Sequence, residues 1–267
     1  MRNIIFRRTV LRPMTVFLFT VLLGGKIYAQ NPEATNFYDQ IKKYDLSTIL
    51  TADSILTEDR EGSKSKIKRG EILGYIGNDF QRFQIHFISI IQDPTDPYQY
   101  MAYGKTMVRE TICSFQGKIV VKGSSIYKSD DLPAYRRGSV IGDVMLYEDK
   151  KQSSTGFIKG KLIVNFIIDD KNRFRYDALM FDADGFNNNQ FIGSWTSYKT
   201  NVSKKCNWGD YRIPDCGDLD SGTGEFMVSE KYIKNGWVSY MLEHKMTNLS
   251  ISNEQGSKKK GNIEWWK

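Results

Sequence analysis

The stretch Phe191 to Phe226, FIGSWTSYKTNVSKKCNWGDYRIPDCGDLDSGTGEF, decides how the rest of the chain is read. It opens as a strand, with Phe191, Gly193 and Trp195 at alternate positions and therefore on one face. A polar segment then leads into a loop bracketed by Cys206 and Cys216, and an acidic, Gly-rich run follows before a further strand-like segment, Gly222 to Glu230. Upstream of this stretch, strand-like runs separated by turn signals repeat as far back as Glu71.

Those runs are Ile72 to Ile91, Tyr98 to Arg109, Ile112 to Tyr127, Arg137 to Tyr147, Thr155 to Ile168, Phe174 to Phe181 and Gln190 to Tyr198. Asp93-Pro-Thr-Asp-Pro97 and Asp169-Asp-Lys-Asn172 are strong breakers between them. With Gly222 to Glu230 they make eight candidates joined mostly by short connections. Eight antiparallel strands close most simply as an up-and-down barrel, which leaves no edge strand to aggregate. A jelly-roll sandwich is the alternative with the same strand count. The expected fold is thus mainly β, with a short helical segment before it and a helix packed on it over Tyr232 to Met246. Glu264-Trp265-Trp266 is apolar enough to dock on the body.

The first residues read differently. Arg2, Arg7, Arg8 and Arg12 precede an apolar run from Met14 to Leu23, too short to span a bilayer, and Ile27-Tyr28-Ala29 suits cleavage after Ala29. The expectation is a Sec-type signal peptide over 1–29, then a helical and linker segment over 30–70 and the β body over 71–267, with a periplasmic or extracellular protein as the product. Five of the 38 Lys and Arg residues lie within 1–29 and none of the 31 Asp and Glu, so the remainder carries a net charge of only +2. That balance argues against nucleic-acid binding. In the segment 30–70, Tyr44, Leu46, Ile49, Leu50 and Ile55 mark one side of a helix or two, with Asp45 or Ser47 as cap, and Glu58 to Arg69 reads as an exposed linker.

Three cysteines in an exported chain suggest one disulfide and one leftover thiol. Cys206 and Cys216 are the natural pair because they flank one loop, whose closure is worth about 3 kcal/mol; other pairings stay open. Cys113, among apolar alternate neighbours, reads as a small buried hydrophobe.

The Gly193-Ser194-Trp195 run resembles the Gly-x-Trp signature of calycin-type barrels such as lipocalins, fatty-acid-binding proteins and avidins, placed here on the seventh candidate strand rather than the first. Gly74-Tyr-Ile-Gly-Asn-Asp-Phe-Gln-Arg-Phe-Gln-Ile-His-Phe87 and Ile112-Cys-Ser-Phe-Gln-Gly-Lys-Ile119 resemble segments of uncharacterised secreted proteins of Gram-negative gut bacteria. That resemblance implies export and no particular activity.

Chemistry-bearing constellations are sparse. The chain has two histidines, His86 and His244, and neither Cys-x-x-Cys nor His-x-x-x-His spacing, so a zinc site is not expected. Arg82, Gln84 and His86 alternate with Phe83, Ile85 and Phe87; if the polar face lines the interior the three grip an acidic or hydroxylated ligand, and otherwise they face outward while the apolar face fills the core. Two acidic loops, Asp182 to Asn189 and Asp215 to Glu225, have the oxygens calcium needs, but the first fails the EF-hand pattern, with Met180 and Phe191 at its end positions, and such turns need no metal. Trp208, Tyr211 and Arg212 beside Asp210 and Asp215 have the make-up of a sugar-binding surface, or of a structural plug in which Arg212 pairs with an Asp. Neither a nucleophile elbow nor a phosphate loop nor a dinucleotide fingerprint is present.

The resulting expectation is an exported protein that binds rather than transforms, without cofactor. Its partner is a small apolar or amphipathic molecule held in a barrel cavity, with Arg82, Gln84, His86, Trp195, Trp208, Tyr211 and Arg212 as candidate contacts. The alternatives are a glycan-binding or glycan-hydrolysing module using the Cys206 to Glu225 loop, and a structural envelope protein.

Overall fold

The computed structural model describes residues 34–58, 62–128, 134–244 and 264–267, so the expected signal segment lies outside the described residues. The chain begins with β1 (Ala34–Asn36), two short helices α1 (Tyr38–Ile41) and α2 (Ser47–Leu50), and a hairpin of β2 (Ser54–Glu58) and β3 (Lys64–Lys68). There follow β4 (Ile72–Ile76), β5 (Gln81–Gln92), β6 (Gln99–Val108), β7 (Thr111–Tyr127), β8 (Tyr135–Glu148), β9 (Gly156–Asp169), the stub β10 (Phe174–Tyr176), β11 (Asn188–Ser197) and β12 (Ser203–Asp210). Short helical turns and α3 (Val238–Glu243) come last.

The protein is mainly β, and its large sheet is antiparallel throughout. Strands β4 to β9 each pair with the next, β9 pairs with β11, β11 with β12, and β12 returns to pair with β4. Eight strands therefore form a ring of pairings, while β1 and β10 hang on β7 and β9.

Three strand expectations need correction. The run Ile72 to Ile91 is two strands, because Gly77 and Phe80 take positive φ (80° and 52°) and turn the chain between β4 and β5. Phe174 to Phe181 yields only the three-residue β10: Asp177 accepts a hydrogen bond from the Leu179 N–H (3.2 Å) and starts a turn. Gly222 to Glu230 is not a ring strand; its β-pairing is the isolated bridge between Asp220 and Val228. The missing ring member is Ser203–Asp210, which the sequence reads as the start of a loop. Within the expected linker, Lys64–Lys68 pairs with β2 as the second strand of a hairpin.

Period-two alternation positions the core. Phe83 and Ile85 on β5, Tyr100 and Ala102 on β6, Phe115, Ile119 and Val121 on β7, Val140, Val144 and Leu146 on β8, and Leu162, Val164 and Phe166 on β9 share one buried cluster. Phe191, Cys206 and Trp208 belong to the same cluster. Gly193 makes room there: a Cβ at this position runs into the Lys159 carbonyl oxygen and the Phe191 ring. The N-terminal helices add Ile41, Leu46, Ile49 and Leu50; the N-cap position of α2 is Leu46 rather than Asp45 or Ser47, and the Asp45 carboxylate accepts from the Ser47 N–H (2.9 Å) in the turn before it. A second cluster lies on the other face of β4, where Leu73 and Tyr75 pack with Ile213, Leu219, Phe226, Trp237, Tyr240 and Met241. The C-terminal helix thus covers the outside of the sheet, and Gly236 (φ 90°) kinks its approach, with no room for a Cβ beside Gln81 and Arg82.

Candidate functional site

The residues singled out in the sequence do not converge. Arg82 points away from the Phe83 face: its guanidinium bonds Glu71 Oε1 (2.6 Å) and Ser239 Oγ (2.9 Å) and lies over the Trp237 and Tyr240 rings. His86, two alternations along the same outward face, stacks on Trp266 with ring centroids 3.9 Å apart and 15° between planes. Burial against that tail holds the imidazole below its ordinary pKa. Lys105, opposite His86 in the ladder, donates to the Lys267 carbonyl at 3.4 Å, so the C-terminal residues dock on β5 and β6. Gln84 lies between Arg82 and His86 in the outward series.

Trp195 and Trp208 sit on the inner face of the ring. Trp208 is sandwiched between Phe191 (3.6 Å, 11°) and Phe83 (6.0 Å). Trp195 donates its indole N–H to Glu148 Oε2 at 2.9 Å; the same buried carboxylate accepts from the Gly156 N–H (2.8 Å) and from Thr106 Oγ1 (2.5 Å). Tyr211, at positive φ (63°), is half-buried against Phe181 and Phe186. Arg212 forms an ion pair with Asp220 (2.6 Å) and ties down the carbonyls of Gly222, Thr223 and Gly224.

The expected disulfide is absent: all three cysteines are free and buried. Cys206 alternates inward with Trp208 and belongs to the ring's core, whereas Cys216 belongs to the cluster on the opposite face of the sheet. A strand's backbone separates them. Burial, aided by nearby Glu148, pushes the Cys113 thiol up to about 11 and raises Cys206 well above the ordinary thiol value.

A polar knot that sequence reasoning missed holds one end of the sheet. Arg69 reaches Asp210 through Nε (3.1 Å) and a terminal nitrogen (2.9 Å), and donates to the Leu50 carbonyl (2.9 Å). Asp210 also accepts from Tyr176 Oη and Asn189 Nδ2, each at 2.9 Å. The alternation of Asp210 with Cys206 and Trp208 was the available signal, hidden by reading that stretch as a loop.

Inside the ring, apolar side chains of the buried cluster pack together. Leu146, Ile158, Phe166 and Phe191 keep no accessible surface. A side chain bordering a ligand-sized void retains surface even when sealed from bulk solvent, so the space around these residues is filled, as in any packed interior.

The open surface is outside. On the outward face of β5 to β8, Ile91, Met101, Tyr103 and Tyr147 remain 63, 51, 46 and 48% exposed. The ladder sets them side by side: Ile91 is opposite Met101 and Met101 opposite Lys118, while Ser89, Tyr103, Gln116 and Tyr147 form the adjoining row. Together they line an open depression of about 590 Å³. Lys118 makes no ion pair among the described residues, and Lys159 lies two strands along its row, beyond Met145. The arrangement offers apolar contact next to an available cation. Among the described residues there is no cluster of three metal-ligating acids, histidines or cysteines, and no helix long and apolar enough to cross a membrane.

The chain matches no protein-family model, and neither a curated protein nor a solved structure matches it significantly. What the fold defines is therefore a class, an antiparallel β protein whose ring strands follow one another in chain order.

Proposed function

We propose that this is an exported, non-enzymatic binding protein built as a calycin-like up-and-down barrel, and that it holds a small amphipathic anion on the outer face of β5 to β8. The architectural part is supported by the next-neighbour order of the eight ring strands and the return of β12 to β4. The observation that carries the binding part is the side-by-side exposure of Ile91, Met101, Tyr103 and Tyr147 with Lys118 at their margin. Adjoining exposed apolar side chains rimmed by polar groups are what a binding face presents.

The size of the effect can be bounded. Covering four half-exposed side chains contributes about 1 kcal/mol each, near a millimolar Kd, and an anionic head on Lys118 adds to this. Affinities between roughly 10 µM and 1 mM are expected for a chain-like amphiphile. Calorimetric titration with laurate and with the uncharged dodecyl maltoside tests the reading. Saturable binding of laurate, stronger than that of the maltoside and weakened by Lys118→Gln, supports it; equal or absent binding of both contradicts it.

A further inference from the structure

A second surface site lies where the connection from β10 to β11 folds over the outer face of β8 and β9. We infer that it takes a single neutral sugar ring. The site is a cleft of about 240 Å³ lined by Arg137, Asn165, Asp177, Asp184, Phe186 and Asn187, among others. This is smaller than the roughly 300–1,000 Å³ of pockets for drug-sized ligands, and suits one ring-sized unit.

Its floor is fixed. Asn188 is fully buried; its amide donates to the carbonyls of Asn165 (2.9 Å) and Asp177 (3.4 Å), and its oxygen accepts from the Asn165 N–H (2.7 Å). Buried Asp177 in turn accepts from Arg137 Nε at 2.9 Å, which sets the guanidinium in place. Burial raises the Asp177 carboxyl pKa against the opposing pull of Arg137. Polar side chains locked by buried partners are preorganised for a ligand, which lowers the ordering cost of binding.

The lining supplies both hydrogen-bond polarities. Among the described residues, the terminal nitrogens of Arg137, the Asn165 amide nitrogen, the Asn187 amide oxygen and the Asp184 carboxylate make no hydrogen bond: Arg137 bonds Asp177 only through Nε, Asn165 Oδ1 accepts from Tyr127 Oη (3.5 Å), and Asn187 Nδ2 donates to the Gly185 carbonyl (2.9 Å). Two donors and two acceptors therefore stand ready beside one aromatic wall, Phe186, which is itself backed by Phe181 (5.3 Å) and Tyr211 (5.2 Å). A hydroxyl both donates and accepts, so a polyol satisfies this mixture. A simple anion meets the carboxylates of Asp177 and Asp184, and a simple cation meets Arg137. Phe186 lines the cleft and supplies an aromatic ring against which the C–H side of a sugar can pack. Recognition of a sugar at this cleft is independent of the depression on β5 to β8.

The test uses the full chain and free galactose, glucose, mannose, N-acetylglucosamine and, as anionic control, acetate, each titrated into the roughly millimolar range while backbone amide shifts are followed. The inference expects at least one neutral sugar to saturate, with shifts at Asn165, Gly185, Phe186 and Asn187. Exposed Asp184→Ala is expected to weaken that binding about tenfold without moving Tm, and Arg137→Gln to weaken it further. Because Arg137→Gln leaves Asp177 buried alone and can unfold the loop, exposed Asn187→Asp, which keeps the side-chain shape, serves as a second variant, with Tm measured beside binding. Saturation by acetate but by none of the sugars, shifts elsewhere on the chain, or binding unaffected by Asp184→Ala and Asn187→Asp would each overturn the inference.

Discussion

Phe191 and Trp208 are opposite one another across the β11–β12 ladder, and their rings stack 3.6 Å apart at an angle of 11° inside the ring of strands. The tryptophan that reads in sequence as part of a loop, either a sugar-binding surface or a structural plug, is thus a central piece of the core. Its burial also joins the strand that closes the ring to the strand before it.

Trp208→Ala is accordingly expected to cost about 3–5 kcal/mol of unfolding free energy, the usual range for removing a large buried aromatic. Urea unfolding followed by circular dichroism checks this. A loss under about 1 kcal/mol would mean that the indole is not packed as described.

The Arg69–Asp210 pair anchors the N-terminal helices to β12 through the Leu50 carbonyl. Removing one partner leaves a buried charge unpaired, so Arg69→Ala is expected to cost about 3–5 kcal/mol. Tyr176→Phe, which deletes one hydrogen bond to Asp210, is expected to cost about 1–2 kcal/mol. Reversal of that order in denaturant titrations would show that the knot is organised around the phenol instead.

Three buried free thiols have a direct chemical consequence. A disulfide-exchange reagent such as DTNB is expected to react slowly with the native protein near neutral pH, because burial holds Cys113 and Cys206 as thiols, and to titrate all three after unfolding without reductant. Recovery of only one thiol from the unfolded, unreduced chain would restore the Cys206–Cys216 bridge.

The docked tail gives a pH dependence. Burial lowers the His86 pKa, with Asp53 and Glu264 pulling it upward and Arg69 adding to the lowering. The folded state prefers the neutral ring, so this contribution is complete above the unfolded value near 6.5 and is lost as pH falls below it. His86→Phe, which keeps a ring for Trp266, is expected to lose less stability than the wild type between about pH 8 and pH 5, by a small margin because the ring is only partly buried. Parallel stability curves for the two proteins would show that His86 is not titrating against the tail.

Most of the strands were legible because inward and outward residues alternate strictly, as in Phe83, Ile85 and their polar neighbours Arg82, Gln84 and His86. β12 was not, for a physical reason. Its outward residues include Lys205, Asn207 and Gly209, its inward series mixes Lys204 and Asp210 with Cys206 and Trp208, and neither set is apolar enough to mark a face. Its place is decided by its two partners, β11 and β4, of which the latter is more than a hundred residues away in the chain. The depression was hidden for a related reason. Met101 and Tyr103 look like any outward strand residues, and only the register with Ile91 and Tyr147 on other strands joins them into a surface. Of the candidate contacts, Arg82, Trp208 and Arg212 prove to be held by Glu71, Phe191 and Asp220 respectively.

The central claim is that the ligand lies on the outer face of β5 to β8 while the interior stays filled, and methyl-labelled NMR during a laurate titration tests it most directly. The account predicts saturable shifts at Ile91 and Met101, none at Val144, Leu146 or Ile158, and about tenfold weaker binding for the Ile91→Ser, Met101→Ser double variant. Shifts at Val144, Leu146 and Ile158 with Ile91 and Met101 unmoved would contradict it and return the ligand to the inside of the ring.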